Sequence, residues 1–354
     1  MRNRLYRIAC ACMALFLISQ CFVGQVKAWD SDTLYYTALG DSIAKGYSAD
    51  GQEIINYSEE VGTRLEEETG IPVVCDNYAK NGLDTEGLYE RIQSKPEIRD
   101  SLGRADIITV TIGANDLLNE FKKEAQEILN TDRKFRSADD ALGALEDGIS
   151  QNPLVIVKIV GALGNWDYTS FEEDWIRVMD EIQSEKKDSA QMVVTNIYNP
   201  VGAMELPGTM NVVVESVIKH MNKIMEDHAK EYNYQIMDLF ASDVCDKTQS
   251  DGLHPDQTGQ DLIATMVYTQ VEENENARIE AVQQEKEETA AREKAAKEKA
   301  EKEKAAKQKA KQKQTKQRQI RIVLVSLATM LVLLVLRAAR KKSVHHSTEY
   351  PRKK

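Results

Sequence analysis

Histidine and cysteine are scarce in this 354-residue chain, with five of each. Only His220, His228, His254, Cys75 and Cys245 fall between residues 29 and 271. They are scattered and show no metal-ligand spacing, so neither a metal nor another cofactor is expected. Two thiols make no disulfide framework. A single Cys75–Cys245 bridge would need Cα atoms within about 7 Å of each other. No glycine-rich loop leads into a lysine, which excludes a P-loop nucleotide site. The Gly-x-Ser-x-Gly elbow of the α/β-hydrolases is missing as well. Positive charge is also short: residues 29–271 hold 20 Lys+Arg against 45 Asp+Glu, a net of −25. Nucleic acid, whose binders need a basic footprint, is therefore excluded as a partner. Anionic lipid head groups would be repelled by the same surface.

What the two ends do have is apolar. Arg2, Arg4 and Arg7 precede a stretch from Ile8 to Ile18, and Val26-Lys27-Ala28 offers a cleavage site. Residues 1–28 are therefore read as a signal peptide, the stretch being too short to stay as an anchor. A lipoprotein signal ending at Cys21 is disfavoured by Gln20 before it. At the other end, Ile322 to Leu336 carries no charge. Widened to residues 320–339 it reaches the ~30 Å of a bilayer core, with Arg321 and Arg337 snorkelling to the two interfaces. The basic tail, residues 340–354, holds Arg340, Lys341, Lys342, Arg352, Lys353 and Lys354, and favours a cytoplasmic C-terminus. The chain is thus expected at the cell membrane as a single-pass protein, with its large domain outside.

Residues 272–319 are a different material, rich in Ala, Glu and Lys with 15 basic and 11 acidic residues over 272–321. Strong helix formers and the i,i+4 pairs Glu293–Lys297, Glu298–Lys302 and Glu303–Lys307 predict a semi-rigid helical spacer, about 72 Å long if fully helical. Missing a/d leucines argue against a coiled coil. No acid occurs from Lys307 to Arg321, so this part is the one suited to surface contact.

Residues 29–271 suffice for one domain with a sizeable core. Five apolar runs read as strands: Leu34 to Leu39, Val73 to Asn77, Ile107 to Ile112, Met192 to Ile197 and Gln235 to Leu239. Most are continuous and not alternating, the signature of strands buried on both faces of a parallel sheet. Helical patterns separate them, as over Val212 to Tyr232, where Val213, Val217, Met221, Ile224 and Met225 share a face. The alternation implies a doubly wound α/β domain with a five-stranded, mostly parallel sheet. Residues 117–190 are long for one crossover and predict a helical insertion. Trp166 and Trp175 in it either border a substrate groove or pack the core.

Short motifs follow these strands. Gly40-Asp41-Ser42 follows the first, Asn81-Gly82 the second and Gly113-Ala114-Asn115-Asp116 the third, while Asp251-Gly252-Leu253-His254-Pro255 closes the domain. A serine at the end of a parallel strand is exposed at the ligand edge of the sheet, but it needs a base. His254 lies in a polar loop, unlike His220 and His228 within a helix, and Asp251 can fix its tautomer.

In order and spacing these blocks resemble the SGNH hydrolases, the GDSL-type lipases, esterases and acylhydrolases, over residues 33–271. The resemblance implies a three-layer α/β/α fold of flavodoxin-like winding and a Ser42, Asp251, His254 triad. It also implies an oxyanion hole from the backbone N–H groups of Ser42 and Gly82 and the side-chain amide of Asn115. Asn81-Gly82 is otherwise a tight turn and Asn115 a helix cap. Asp41 is expected to order the turn around Ser42, and Tyr198-Asn199-Pro200 to line the pocket. The expected activity is hydrolysis of a small-molecule, glycan or lipid ester through an acyl-enzyme. An O-acyltransferase acting on wall glycans would use the same triad, and a non-catalytic surface module would not need it.

Overall fold

The apolar runs form a sheet of five strands: β1 (Leu34–Gly40), β2 (Val73–Asn77), β3 (Ile107–Thr111), β4 (Gln191–Thr195) and β5 (Gln235–Met237). Their order is β2-β1-β3-β4-β5, and every neighbouring pair runs parallel. This computed structural model describes residues 29, 31–199 and 208–345, and the chain divides into two units, Met1–Ile279 and Glu280–Lys354. The signal sequence expected over 1–28, Pro200, and residues 346–354 of the basic tail lie outside the described residues.

Both faces of the central strands β1, β3 and β4 are covered, which is why they read as largely apolar runs, whereas the edge strand β2 is only part-buried. Leu39, Ile108, Val110, Met192 and Val194 belong to one hydrophobic cluster. Tyr36, Ala38, Ile107, Val193 and Met237 belong to the other. Full burial of each Leu, Ile, Val or Met side chain among them stabilises by roughly 1.5–3 kcal/mol. Three strands end earlier than the sequence suggests. Ile112, Ile197 and Leu239 are buried, but they lie in loops beyond the last ladder pairs. Apolar character outlasts the ladder because these loops are themselves packed.

The long crossover between β3 and β4 holds four helices: α5 (Ala114–Leu129), α6 (Ala138–Gln151), α7 (Val155–Gly164) and α8 (Thr169–Glu185), following α1 (Ser42–Lys45), α2 (Tyr57–Thr69), α3 (Thr85–Ser94) and α4 (Pro96–Arg104). Trp175 is fully buried and its indole N–H donates to the Tyr234 hydroxyl at 3.1 Å. Trp166 packs half-buried against the same cluster. Trp175 is a core residue and Trp166 packs against the core from its edge; neither lines the cleft described below. After β4, α9 (Gly208–Ala229) buries Val217, Met221, Ile224 and Met225 on one face. Cys75 sits on the edge strand β2 and Cys245 in the turn Asp243–Asp246 beyond the opposite edge. Both are free thiols, so no bridge joins them.

The last helix, α10, spans Gln257–His345. Within the first unit its opening turns bury Ile263, Ala264, Val267 and Val271 against the second cluster. Packing runs on past Val271: Glu275 is buried, accepts from the Gln191 amide at 3.3 Å and pairs with Arg278 at 2.6 Å. In the second unit, Glu303–Lys307 forms the i,i+4 ion pair expected from its spacing, at 2.6 Å. Between Gln257 and Ala338 this helix holds a stretch of mean hydropathy 2.4, long and apolar enough by length and composition to cross a membrane. Its large side chains from Ile320 to Leu336 are 54–67% exposed, an arrangement that is costly in water and suited to lipid.

Candidate active site

Ser42 is placed by the way β1 stops. Gly40 has φ +148, and a Cβ on it would lie 2.2 Å from the Thr111 carbonyl oxygen. Only glycine lets β1 stay this close to β3 while the chain turns. Asp41 then caps α1, its Oδ1 accepting from the Ile43 N–H at 2.9 Å. Ser42 is the first residue of that helix and is 9% exposed. Asp41 thus orders the turn, as expected. It is buried, and burial lifts its carboxyl to about 7 against the pull of the Ile43 N–H, with nearby Asp116 pushing the same way.

His254 arrives on a loop closed by an antiparallel bridge between Thr248 and Pro255. Asp251 curls back within that loop. Its Oδ1 accepts from the N–H groups of Leu253 and His254, both at 3.0 Å, and its Oδ2 lies 2.6 Å from His254 Nδ1. Burial raises the Asp251 carboxyl, but these bonds from His254 and Leu253 outweigh it and hold it below the usual carboxylate range. An ionised carboxylate only accepts, so Nδ1 carries the proton and Nε2 is left as an acceptor. Nε2 is 2.8 Å from Ser42 Oγ. The three residues form a continuous hydrogen-bonded relay across 212 positions of sequence.

Gly82 and Asn115 line the same cleft as Ser42, Asp251 and His254, a space of about 420 Å³. Gly82 has φ +73, and a Cβ there would meet nothing within 4 Å. Its glycine is therefore required by the turn, and not by any neighbour that crowds it. Among the described residues, the Ser42 and Gly82 N–H groups donate to no protein acceptor. Asn115 is not a cap. It lies in the first turn of α5, whose N-cap is Gly113. Its Nδ2 donates to the Leu83 carbonyl at 2.9 Å and, weakly, to Asp41 Oδ2 at 3.4 Å. One amide hydrogen is thus anchored while the other is loosely held beside Ser42.

Two site residues were missed in the sequence. Asp116 accepts from the Thr85 N–H and hydroxyl, fixing α3 and the Gly82 turn against α5. Its carboxyl is raised to about 7, by burial above all. Its signal was its place directly after Asn115. Tyr47 lines the cleft and packs on His254 with ring centroids 4.5 Å apart. An aromatic just past the Gly46 turn that ends α1 was the only hint of it. Tyr198 borders a second, small apolar cavity of about 20 Å³ behind Asp41 and Ile43, with Ile197 and Leu117. Its hydroxyl also donates to the Leu253 carbonyl, bracing the His254 loop. His220 and His228 lie elsewhere, stacked on Tyr168 and beside Glu172 respectively. No group of three or more His, Cys, Asp or Glu able to hold a metal occurs among the described residues.

The family described as GDSL-like lipase/acylhydrolase matches residues 36–267. The chain is similar to uncharacterized protein YpmR of Bacillus subtilis, 24% identical over 258 residues, covering 69% of this chain and 85% of that protein. It is also similar to spore germination lipase LipC of Bacillus licheniformis, 27% identical over 177 residues, covering 49% of this chain and 68% of that protein. Among solved structures, a lipase from a goat rumen metagenome superposes with a TM-score of 0.47 at 20% identity, covering 67% of this chain and 96% of that one.

Proposed function

The chain belongs to the GDSL-like lipase/acylhydrolase family, and on that premise we propose that it is a membrane-tethered serine ester hydrolase working through an acyl-enzyme. The observation that carries this reading is the relay Asp251–His254–Ser42, closed at 2.6 and 2.8 Å. Ser42 Oγ attacks the ester carbonyl carbon while His254 Nε2 takes its proton. The imidazolium so formed is met by the Asp251 carboxylate. The carbonyl oxygen becomes an oxyanion, received by the Ser42 and Gly82 N–H groups and the loosely held Nδ2 hydrogen of Asn115. Each such donor lowers the barrier by roughly 3 kcal/mol. Collapse expels the alcohol, which leaves with the proton from His254. Water then attacks the acyl-enzyme carbonyl, giving a proton to His254 Nε2, and collapse releases the carboxylic acid as that proton returns to Ser42 Oγ.

Carboxylic esters in the cell wall or medium suit a domain of net charge −25 better than an anionic lipid surface does. Hydrolysis of p-nitrophenyl esters of graded chain length by the full chain in mild detergent tests this. Turnover of at least one ester, abolished in Ser42→Ala, is expected. No turnover of any ester by folded protein would overturn the reading.

We further propose that residues 1–28 direct export, that residues 29–271 fold outside, and that residues 320–339 cross the membrane with 340–354 in the cytoplasm. The spacer, residues 272–319, is then open to protease from outside. Protease added to protoplasts is expected to release a soluble, active fragment cut within 272–319. Protection of that fragment until the membrane is broken would reverse the orientation.

A further inference from the structure

Two residues that take no part in the chemistry proposed above, Tyr47 and Gln249, tie together the loops that carry the relay. Gln249 is 7% exposed, yet its carboxamide is saturated. Its Oε1 accepts from the N–H groups of Ala49 at 2.7 Å and Asp50 at 3.3 Å. Its Nε2 donates to the Tyr47 and Pro255 carbonyls, both at 2.8 Å. Its own N–H donates to the His254 carbonyl at 2.8 Å. One amide side chain therefore ties the loop after the nucleophile to the loop that carries the base. A further bond reinforces the tie, from the Ser250 N–H to Asp50 Oδ2 at 3.1 Å.

Tyr47 is the residue caught between. Its N–H donates to the Ser42 carbonyl at 3.0 Å, and its carbonyl accepts from Gln249. Fixed at both ends of its backbone, it lays its ring on His254, with centroids 4.5 Å apart and planes tilted by 52°. That is inside the ~6 Å over which an aromatic ring attracts a cation. The imidazole becomes a cation only as Ser42 loses its proton. The ring contact therefore strengthens toward the transition state, as Asp251's does, and it blocks rotation of the imidazole away from Ser42.

We infer that Tyr47 and Gln249 form a positioning unit for His254: Gln249 locks the Tyr47 loop, and the Tyr47 ring holds and stabilises the working imidazolium. The inference rests on the serine-hydrolase reading and deepens it. A hydrogen-bonding amide is required at 249, because a carboxylate there cannot donate to Tyr47 and Pro255. An aromatic ring is required at 47, while the phenolic hydroxyl is dispensable.

The test is a double-mutant cycle in the full chain, reading kcat and KM separately on a short and a longer p-nitrophenyl ester. Tyr47→Ala is expected to lower kcat about tenfold on both esters with little change in KM. Tyr47→Phe, which restores the ring, should recover kcat to within about twofold of wild type. Gln249→Glu should lower kcat about tenfold or more, and the double variant should fall little below the weaker single, since both act through one contact. Additive losses, near a hundredfold in the double variant, would show that Gln249 does not act through Tyr47. A KM rise that grows with acyl length in Tyr47→Ala would make Tyr47 a substrate wall and overturn its positioning role. If Gln249→Glu does not fold, Tyr47→Ala decides alone, because it leaves every Gln249 bond to the backbone in place. Wild-type activity that depends on Ser42, with kcat unchanged in Tyr47→Ala, would sink this inference and leave the hydrolase reading standing. Activity that survives Ser42→Ala would sink the hydrolase reading itself.

Discussion

Ester hydrolysis by Ser42→Ala and by His254→Ala is expected to fall at least about a thousandfold, with the fold and its melting temperature retained. The nucleophile and its base act as one unit, so losing either costs nearly as much as losing both. The double variant should therefore be no worse than the singles. Asp251→Asn should cost comparably or somewhat less. Its amide can still meet Nδ1, but as a donor it would hold the imidazole in the wrong tautomer, leaving Nε2 protonated against Ser42 Oγ. The contact at stake is the 2.6 Å bond between Asp251 Oδ2 and His254 Nδ1. Steady-state kinetics with circular dichroism as the folding control checks the set. Near wild-type turnover in purified Ser42→Ala would contradict it.

Asn115→Ala is expected to lower kcat by about 10²-fold to 10³-fold while KM barely moves. In the resting structure one Nδ2 hydrogen serves the Leu83 carbonyl, and the other makes only a 3.4 Å contact with Asp41. A bond that long is weak, so the amide can turn that hydrogen to an oxyanion at little cost. The new bond exists only as negative charge builds on the carbonyl oxygen, which places its effect in kcat. Removing the amide also leaves the Leu83 carbonyl without its donor, a smaller effect that should appear in stability. A variant that loses affinity but keeps kcat would make Asn115 a binding residue.

Much of this site is legible in the sequence because its parts are local. A strand buried on both faces announces itself as an apolar run, and the residue after it must lie at the sheet's ligand edge. Ser42 and Asn115 follow such runs, β1 and β3, while Gly82 follows the part-buried edge strand β2 at a distance, and Asp251 reaches His254 within one turn of a loop. The strand ends were less legible, since Ile112, Ile197 and Leu239 are as apolar as ladder residues but pack in loops. What the sequence could not show is contact between distant segments. Gln249 meets Ala49 across 200 positions, and no periodicity marks either residue. Asp116 sat inside a recognised motif, yet its bond to Thr85 depends on how α3 meets α5. Trp175 was ambiguous because a tryptophan in a long insertion can serve a groove or a core. Its burial against Tyr234 settles it as core.

The most direct test of the central claim is to treat the full chain with a fluorophosphonate probe and locate the adduct by mass spectrometry. A fluorophosphonate bonds to a serine only when a neighbouring base has activated it. One adduct is predicted, on the peptide that holds Ser42, absent in Ser42→Ala and strongly slowed in His254→Ala. Folded, ester-hydrolysing protein that takes no adduct at Ser42, or that is labelled equally well without His254, would contradict the account.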